Sequence, residues 1–299
     1  MRVCVTGGSG FIGRHVVRHL TEHGHDVFVL DLVAFPTPDT PCLLGDIRDR
    51  ETVAEAIDDS VDAVVHLAAI TSVLQSVKDP DGVYATNVLG TELLLERCRV
   101  VGVPRFVFAS TNAVVGDVGS TPIDEATPLH PLTPYGATKA SAEMLFWAYA
   151  ASYGIITAAM RFTNVYGAGM QTKDSVVARL MKAALTGGHI EVYGDGEQRR
   201  DYLYVSDAAA AIEFGLEVLG AEVYTIGSGA SVSMNALHAL CCEVTGVAIP
   251  KRHVGPKPGE MPAVIVDTKK AALAGFRVAY DLRKGLETTW GDFKGSAAI

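Results

Sequence analysis

The opening segment limits the fold more than any other part of the chain. It reads MRVCVTGGSGFIG, an apolar run ending in Gly7-x-x-Gly10-x-x-Gly13, with Gly8 also completing a G-x-G-x-x-G. A short strand, a glycine turn and then an amphipathic helix is the start of a βαβ unit. In that setting Gly7 permits the tight turn, Gly10 lets the backbone approach a pyrophosphate, and Gly13 allows close helix–strand packing. The helix start at Phe11 and Ile12 offers N–H donors and a positive dipole end to an anion. A glycine turn used only for packing has the same letters. Context separates the two readings: a strand before, a helix after, and an acid at Asp31.

The remaining pattern agrees with that start. Short apolar runs at Arg2–Thr6, Asp26–Asp31, Ala63–Leu67, Phe106–Ser110 and Ile156–Phe162 read as strands covered on both faces. Between them lie helical patterns at Phe11–His23, Asp49–Asp58, Val83–Val101 and Tyr135–Ser152. This alternation predicts an α/β fold, a Rossmann-type doubly wound parallel sheet. After Gly167 the pattern changes. Helices are expected near Asp174–Thr186 and Ser206–Leu219, with a strand at Val223–Ile226 that could return to the main sheet. From Ser231 the sequence suggests two or three short helices and a Pro/Gly-rich GPKPGEMP. We therefore expect a smaller, discontinuous C-terminal substrate domain, with a cleft between the two.

Composition excludes several other classes. With 299 residues, 48% of them hydrophobic, the chain can bury a large core and is no disordered polymer. The net charge of −9 repels a phosphate backbone, so no nucleic-acid partner is expected. Five cysteines, with no CxxC pair, suggest a reduced, cytoplasmic chain. Met1-Arg2 runs directly into VCVTG, the wrong flanks for a signal peptide. The uncharged stretch Met144–Met160 is interrupted by Gly154, so it reads as a helix end, a glycine stop and a core strand rather than a membrane span.

Several residues then carry the chemistry. Asp31, ending the second strand, can accept both ribose hydroxyls of NAD and would repel a 2′-phosphate; no Arg stands beside it, which favours NAD over NADP. A turn Asp is the plain alternative. In GDIRD, Asp46 and Ile47 fit a loop facing an adenine, though the segment is also an ordinary helix N-cap. Tyr135 and Lys139 share a helix face four residues apart. An adjacent ammonium and a nicotinamide cation would stabilise the phenolate, bringing it from its ordinary value of ~10 toward use as a base. YxxxK alone also fits an exposed helical pair. Ser110 and Thr111 end a strand at the rim where α/β sheets bind ligands, where a hydroxyl can bond a substrate oxygen. The bland reading is a strand end bonding its own loop.

TGGSGFIG, HLAA (His66–Ala69), STNAVVG, YGATK, RFTNVYG (Arg161–Gly167) and GDGEQRRDYLYVSD (Gly194–Asp207) resemble, in order, the motifs of the extended short-chain dehydrogenases, and within them the NAD-dependent nucleotide-sugar epimerases and dehydratases. The resemblance covers nearly the whole chain. It implies that Thr111, three residues before the first Val of VVG, takes the Ser/Thr role, Tyr135 that of the base, and Lys139 that of its partner. It implies cofactor contacts at Gly7, Gly10, Phe11, Ile12, Gly13, Asp31, Asp46, Ile47, Leu67, Ala68, Ala69, Asn87, Tyr135 and Lys139. It implies substrate contacts at Thr111, Asn164, Arg200, Lys257 and Val264. Two positions depart from the pattern. Val115 replaces a usual Tyr, losing any ring contact. Lys257 stands where Arg is common, keeping the charge but losing the bidentate fork. Without the family, Arg199 and Arg200 read equally well as solvated charges.

The resemblance also implies the domain split: residues 1–166 with about 203–228 bind NAD, and about 167–202 with 229–299 bind the nucleotide sugar. Asn112 and Ala113 follow Thr111 where related 4,6-dehydratases have Asp-Glu, and they cannot move protons for loss of water. Ala113 also departs from the Glu of sugar-acid decarboxylases. What remains is 4-epimerisation through a transient 4-keto sugar, by an isomerase that retains NAD. Asn164, where uronic-acid epimerases have Thr, favours a neutral UDP-hexose such as UDP-glucose or UDP-galactose. Val264 leaves room for the N-acetyl forms. The alternatives are a nucleotide-sugar ketoreductase, an atypical dehydratase, or a non-enzymatic NAD-sensing module. Helices matching Val83–Val101 and Tyr135–Ser152 form a four-helix dimer interface in the family, so a homodimer is expected. No metal is expected. His15, His19 and His23 recur every four residues, a spacing able to hold one, but no carboxylate-and-His motif such as HExxH accompanies them, and a polar helix face is the preferred reading.

Overall fold

The computed structural model describes residues 1–255 and 263–297. In chain order the strands are β1 (Arg2–Thr6), β2 (Asp26–Asp31), β3 (Cys42–Leu44), β4 (Ala63–His66), β5 (Arg105–Thr111), β6 (Ile156–Phe162), β7 (Asn164–Tyr166), β8 (Ile190–Tyr193), β9 (Arg199–Arg200), β10 (Tyr202–Tyr204), β11 (Ala221–Ile226), β12 (Val232–Ser233) and β13 (Lys251–Val254). The helices are α1 (Phe11–Glu22), α2 (Arg50–Ala56), α3 (Val73–Lys78), α4 (Pro80–Tyr84), α5 (Gly90–Val101), α6 (Pro134–Tyr153), α7 (Val176–Thr186), α8 (Val205–Glu217), α9 (Met234–Thr245), α10 (Lys269–Leu273) and α11 (Leu282–Ala297).

One seven-stranded sheet takes the order β3-β2-β1-β4-β5-β6-β11. The pairings from β3 through to β6 are parallel. The direction of strand order reverses between β1 and β4, and in such sheets ligands bind beyond the carboxyl ends of the strands at that point. The apolar runs VCV, AVV and FVF are buried on both faces, as parallel strands require. On one side of the sheet, Phe106 and Phe108 pack against Phe146 of α6, with ring centroids 5.4 and 4.7 Å apart, in a core shared with Leu94 and Leu95 of α5.

Three features depart from the expected elements. A short third strand, β3, pairs with β2 through Val29–Asp31. The Val83–Val101 helix runs through but not as a uniform α-helix: a π-helical turn at Ala85–Leu89 lies between α4 and α5, with helical backbone on both sides. The widened turn coincides with tight packing, since a Cβ at Gly90 would lie 2.8 Å from the Ile47 side chain. The tail helices α9 and α11 are long, with 12 and 16 residues. The uncharged stretch resolves into the end of α6, a left-handed stop at Gly154 (φ +73°) and β6. No helix among the described residues is long and apolar enough to cross a membrane.

The chain divides into two compact units: Met1–Asp117 with Glu125–Phe162 and Ala208–Thr225, and Val118–Asp124 with Thr163–Asp207 and Ile226–Ile299. The first holds the large sheet. The second is built on small two-stranded pairings, β10 on β7, β12 on β9 and β13 on β8, with α7, α9 and α11. Its buried Tyr166 hydroxyl donates to Leu282 O at 3.2 Å.

Candidate active site

The glycine loop turns sharply after β1. Gly7 has φ +73°, its N–H donates to Leu30 O at 2.9 Å, and a Cβ there would lie 2.5 Å from Ala68 N. A Cβ at Gly13 would sit 2.2 Å from Gly7 O. Both glycines are therefore demanded by the protein's own packing. Gly10 is different: the only neighbour of its Cβ within 4 Å would be Gly7 O, at 3.2 Å. Gly10 also precedes α1, whose N-terminus carries no side-chain cap and no acid in its first turn. A cradle that packing does not fill, beside uncapped helix N–H groups, fits a dinucleotide pyrophosphate. Phe11 and Ile12 open that helix, both partly exposed.

Asp31 closes the loop from β2. Its Oδ2 accepts from Ser9 N at 2.9 Å and its Oδ1 from Val33 N at 3.1 Å. Asp46 and Ile47 lie in the loop that leads into α2. Arg48 clamps the Asp46 carboxylate, with Nη2 to Oδ2 at 2.6 Å, and holds its pKa below the ordinary carboxylate value. Ile47 is buried in the core.

Leu67, Ala68 and Ala69 follow β4 beside the glycine turn, and Ala68 N lies 3.4 Å from Thr6 Oγ1. His66, buried at the end of β4, bonds Thr6 Oγ1 through Nδ1 at 2.7 Å and Thr91 Oγ1 through Nε2 at 2.9 Å. Burial, helped by the charge on Lys139, pushes its pKa down to about 3, so it is a neutral strut. Asn87, in the π turn, accepts from Ile70 N at 2.9 Å and donates to Ile70 O and to Thr138 Oγ1 at 3.0 and 3.1 Å. These bonds make Asn87 a clamp between the loop after β4 and helix α6.

Helix α6 starts with a Thr133 cap on Gly136 N and Pro134 in its first turn, features that fix its start just before Tyr135. A Cβ at Gly136 would lie 2.5 Å from Ala113 O, so this first turn rests on the 3-10 turn Asn112–Val114 that ends β5. There the Tyr135 hydroxyl is hydrogen-bonded to the Thr111 side chain. Thr111 Oγ1 also accepts from Ala113 N at 3.2 Å. Ser110 faces the opposite way, as strand alternation dictates, and its hydroxyl bonds buried Glu143. Lys139 is buried, donates from Nζ to Ala109 O at 2.9 Å and lies 4.3 Å from the Phe108 ring centroid. Burial pushes Lys139 down to about 7, opposed by the Glu143 charge, and pushes Tyr135 up to about 12, opposed by the Thr111 hydrogen bond. Val115 is buried core.

Glu143 and Arg161 were not singled out as site residues by their letters, yet they form a buried ion pair directly beneath Lys139's helix turn. The usable signal was the Lys139–Glu143 spacing of four; nothing in the letters showed that both charges are buried.

In the second unit, three of the four proposed substrate residues gather around Arg199–Asp201. Asn164 N and Nδ2 both donate to Asp201 O, at 3.3 and 2.9 Å. Val264 N donates to Arg199 O at 2.9 Å, and its side chain is buried. Arg200 Nη1 donates to Arg199 O at 2.7 Å. Lys257 lies outside the described residues.

A glycine cradle at the end of β1, an acid at the end of β2, and a Tyr–Thr pair with a buried Lys fit a dinucleotide-dependent enzyme. Comparison with known proteins narrows this. Residues 3–227 match the NAD dependent epimerase/dehydratase family, and the chain belongs to that family. A protein described as a putative UDP-glucose 4-epimerase of Methanocaldococcus jannaschii is 34% identical over 293 residues, covering 95% of this chain and 96% of that one. A dTDP-glucose 4,6-dehydratase of Streptomyces antibioticus is 33% identical, covering 97% and 91%. The crystal structure of the Thermus thermophilus UDP-glucose 4-epimerase with NAD superposes with a TM-score of 0.92 at 34% identity, covering 99% of this chain and all of that one. The cofactor is NAD.

Proposed function

We propose that this protein interconverts the 4-epimers of a nucleotide sugar, with UDP-glucose and UDP-galactose the favoured pair. The observation that carries this reading is the Tyr135–Thr111 hydrogen bond beside Asn112 and Ala113. A proton acceptor and a hydroxyl are in place, but neither following residue can act as the acid or base that removal of water requires. That argues against the dehydratase activity of the equally similar Streptomyces relative.

When bound, NAD supplies reversible hydride acceptance at the sugar carbon, so that a carbinol can pass through its ketone and regain either configuration. Tyr135 Oη takes and returns the 4-hydroxyl proton, and Thr111 Oγ1 holds the same oxygen in line. Burial alone opposes a phenolate at Tyr135, so the reaction needs a cation nearby. Lys139, one helical turn on, supplies it, and a phenolate in turn favours the charged form of Lys139. Asp31 receives the adenine ribose hydroxyls and repels a 2′-phosphate.

Asn164, Arg200 and Lys257 are assigned to the nucleotide sugar, and Val264 to the tolerance of an N-acetyl group. The neutral amide of Asn164 supports an uncharged hexose. We also infer a homodimer through α5 and α6, supported by Val100, Met144, Trp147 and Tyr153, large apolar side chains exposed on those helices. Five free cysteines support a reducing, cytoplasmic setting.

The test is to denature the purified protein, identify the released dinucleotide, and assay UDP-glucose and UDP-galactose in both directions. Release of NAD with interconversion supports the reading. Stoichiometric NADH consumption, or a 4-keto-6-deoxy product, overturns it. Sedimentation as a monomer at micromolar concentration overturns the dimer.

A further inference from the structure

The three histidines His15, His19 and His23 lacked a carboxylate in the sequence, and the fold supplies one from 194 residues away. Glu213 on α8 reaches the C-terminal end of α1, where its Oε2 accepts from His19 Nε2 at 2.7 Å. One ligating atom each from His19, His23 and Glu213 lie within 4.8 Å of one another. His15 is not part of this group.

We propose that His19, His23 and Glu213 form a binding site for a divalent transition ion, Zn²⁺ in the first instance. Ligand atoms around a tetrahedral zinc are about 3.3 Å apart for bonds near 2.0–2.1 Å. The His19–Glu213 contact is shorter than that and the widest separation in the group is at most 4.8 Å, so the three reach bonding range by rotation of the two imidazoles, which now stack with centroids 4.2 Å apart. The tautomers suit the ion. His23 Nδ1 lies 2.7 Å from His19 O, and a carbonyl can only accept, so Nδ1 carries the proton and Nε2 the lone pair. An imidazole oriented by an N–H to a backbone carbonyl is the usual support for a metal ligand. At His19 the ion replaces the Nε2 proton now shared with Glu213.

Two further features favour a cation here. His23 is the C-cap of α1, so the site sits at the negative end of that helix. His25 Nε2 is 3.7 Å from the second oxygen of Glu213, and its Nδ1 is buried without a hydrogen-bond partner among the described residues. The carboxylate is thus flanked by imidazoles on both oxygens, although His25 lies outside the three-residue group. Two imidazoles with one carboxylate suit Zn²⁺ and neighbouring late first-row ions. The bound ion would clip α1, which carries the pyrophosphate cradle at its other end, to α8.

The experiment is titration of the chelator-treated, NAD-loaded protein with ZnCl₂ in a non-coordinating buffer by calorimetry, with the cobalt absorption spectrum as a second readout. One ion per chain at micromolar affinity is expected, with a melting temperature that rises with free zinc. His23→Gln, Glu213→Gln and His19→Gln should each weaken binding at least about tenfold. His19→Gln retains a donor toward Glu213, and circular dichroism with NAD content shows whether each variant is folded. Cys42→Ser and His238→Gln should leave binding unchanged. No stoichiometric binding, or binding that survives the three variants and is lost with either control, overturns the site.

Discussion

The guanidinium of Arg161 meets the fully buried carboxylate of Glu143 through two nitrogens, Nε at 3.0 Å to Oε1 and Nη2 at 2.8 Å to Oε2. The pair joins β6 to α6, and Ser110 ties it to the end of β5. It therefore fixes the helix that carries Tyr135 and Lys139 against the strand that carries Thr111. Arg161 Nη1 has no partner among the described residues, so the pair is already incompletely satisfied. Glu143→Gln leaves a buried guanidinium uncompensated and should cost about 3–5 kcal/mol in urea unfolding. It also removes the charge that raises the Lys139 pKa, so the Lys139 limb of the kcat profile should move to lower pH. A variant with unchanged stability and an unchanged profile would refute this positioning role.

Tyr135→Phe removes the proton acceptor while leaving the ring and the cradle in place. Turnover of UDP-glucose should fall by roughly 10²–10⁴-fold, with NAD still bound. Thr111→Val loses the hydrogen bond to Tyr135 and the bond from Ala113 N, so it should also cost about 1 kcal/mol of stability. Thr111→Ser keeps both. Recovery of most activity in the serine variant, but not in the valine variant, separates the hydroxyl's chemical role from its packing.

The sheet, the glycine turn and the placement of Tyr135 were legible because each rests on local letters: an apolar strand, a Gly at positive φ, a Thr-Pro helix start. The choice of Thr111 over Ser110 came from resemblance; on the strand the two face opposite ways, with Ser110 turned to Glu143. Less legible was everything that depends on contact across the fold. The resemblance implied a cofactor contact at Asn87, and the letters did not show that its amide also clamps Ile70 to Thr138. The π turn between α4 and α5 lies where Gly90 meets Ile47, a contact that no period in the sequence reports. Glu213 approaches His19 only because α8 packs there.

Gly13→Ala tests the cradle. The added methyl would meet Gly7 O at 2.2 Å and Gly8 O at 2.6 Å, both backbone atoms of the turn itself. Relief requires moving α1 away from the loop, which carries its N-terminal N–H groups out of reach of a pyrophosphate. The expected result is purified protein with little NAD, measured by absorbance of the denatured supernatant, and a lowered melting temperature. Gly10→Ala should be gentler on the fold, because its methyl has one close neighbour, at 3.2 Å, and comparable on NAD content. Equal NAD content in wild type and Gly13→Ala would mean that the loop does not hold the cofactor in this way.

His66 gives a pH dependence with a definite sign. Its folded pKa is pushed from an ordinary 6.5 down to about 3, first by burial between Phe106 and Phe108 and then by the charge of Lys139. Between those two values the unfolded chain binds a proton that the folded chain does not. Acid therefore draws the equilibrium toward unfolding as pH falls through 6.5, and the contribution vanishes above it, where both states are neutral. At about pH 5 the loss amounts to roughly 2 kcal/mol. Carboxylates elsewhere also respond to acid, so the useful quantity is the difference between wild type and His66→Gln, whose amide can still bond Thr6 and Thr91 but cannot take up a proton. Urea unfolding of both proteins from neutral pH to about pH 5 should show the wild type losing roughly 2 kcal/mol more than the variant. Parallel pH profiles would mean that His66 is not held neutral by its surroundings.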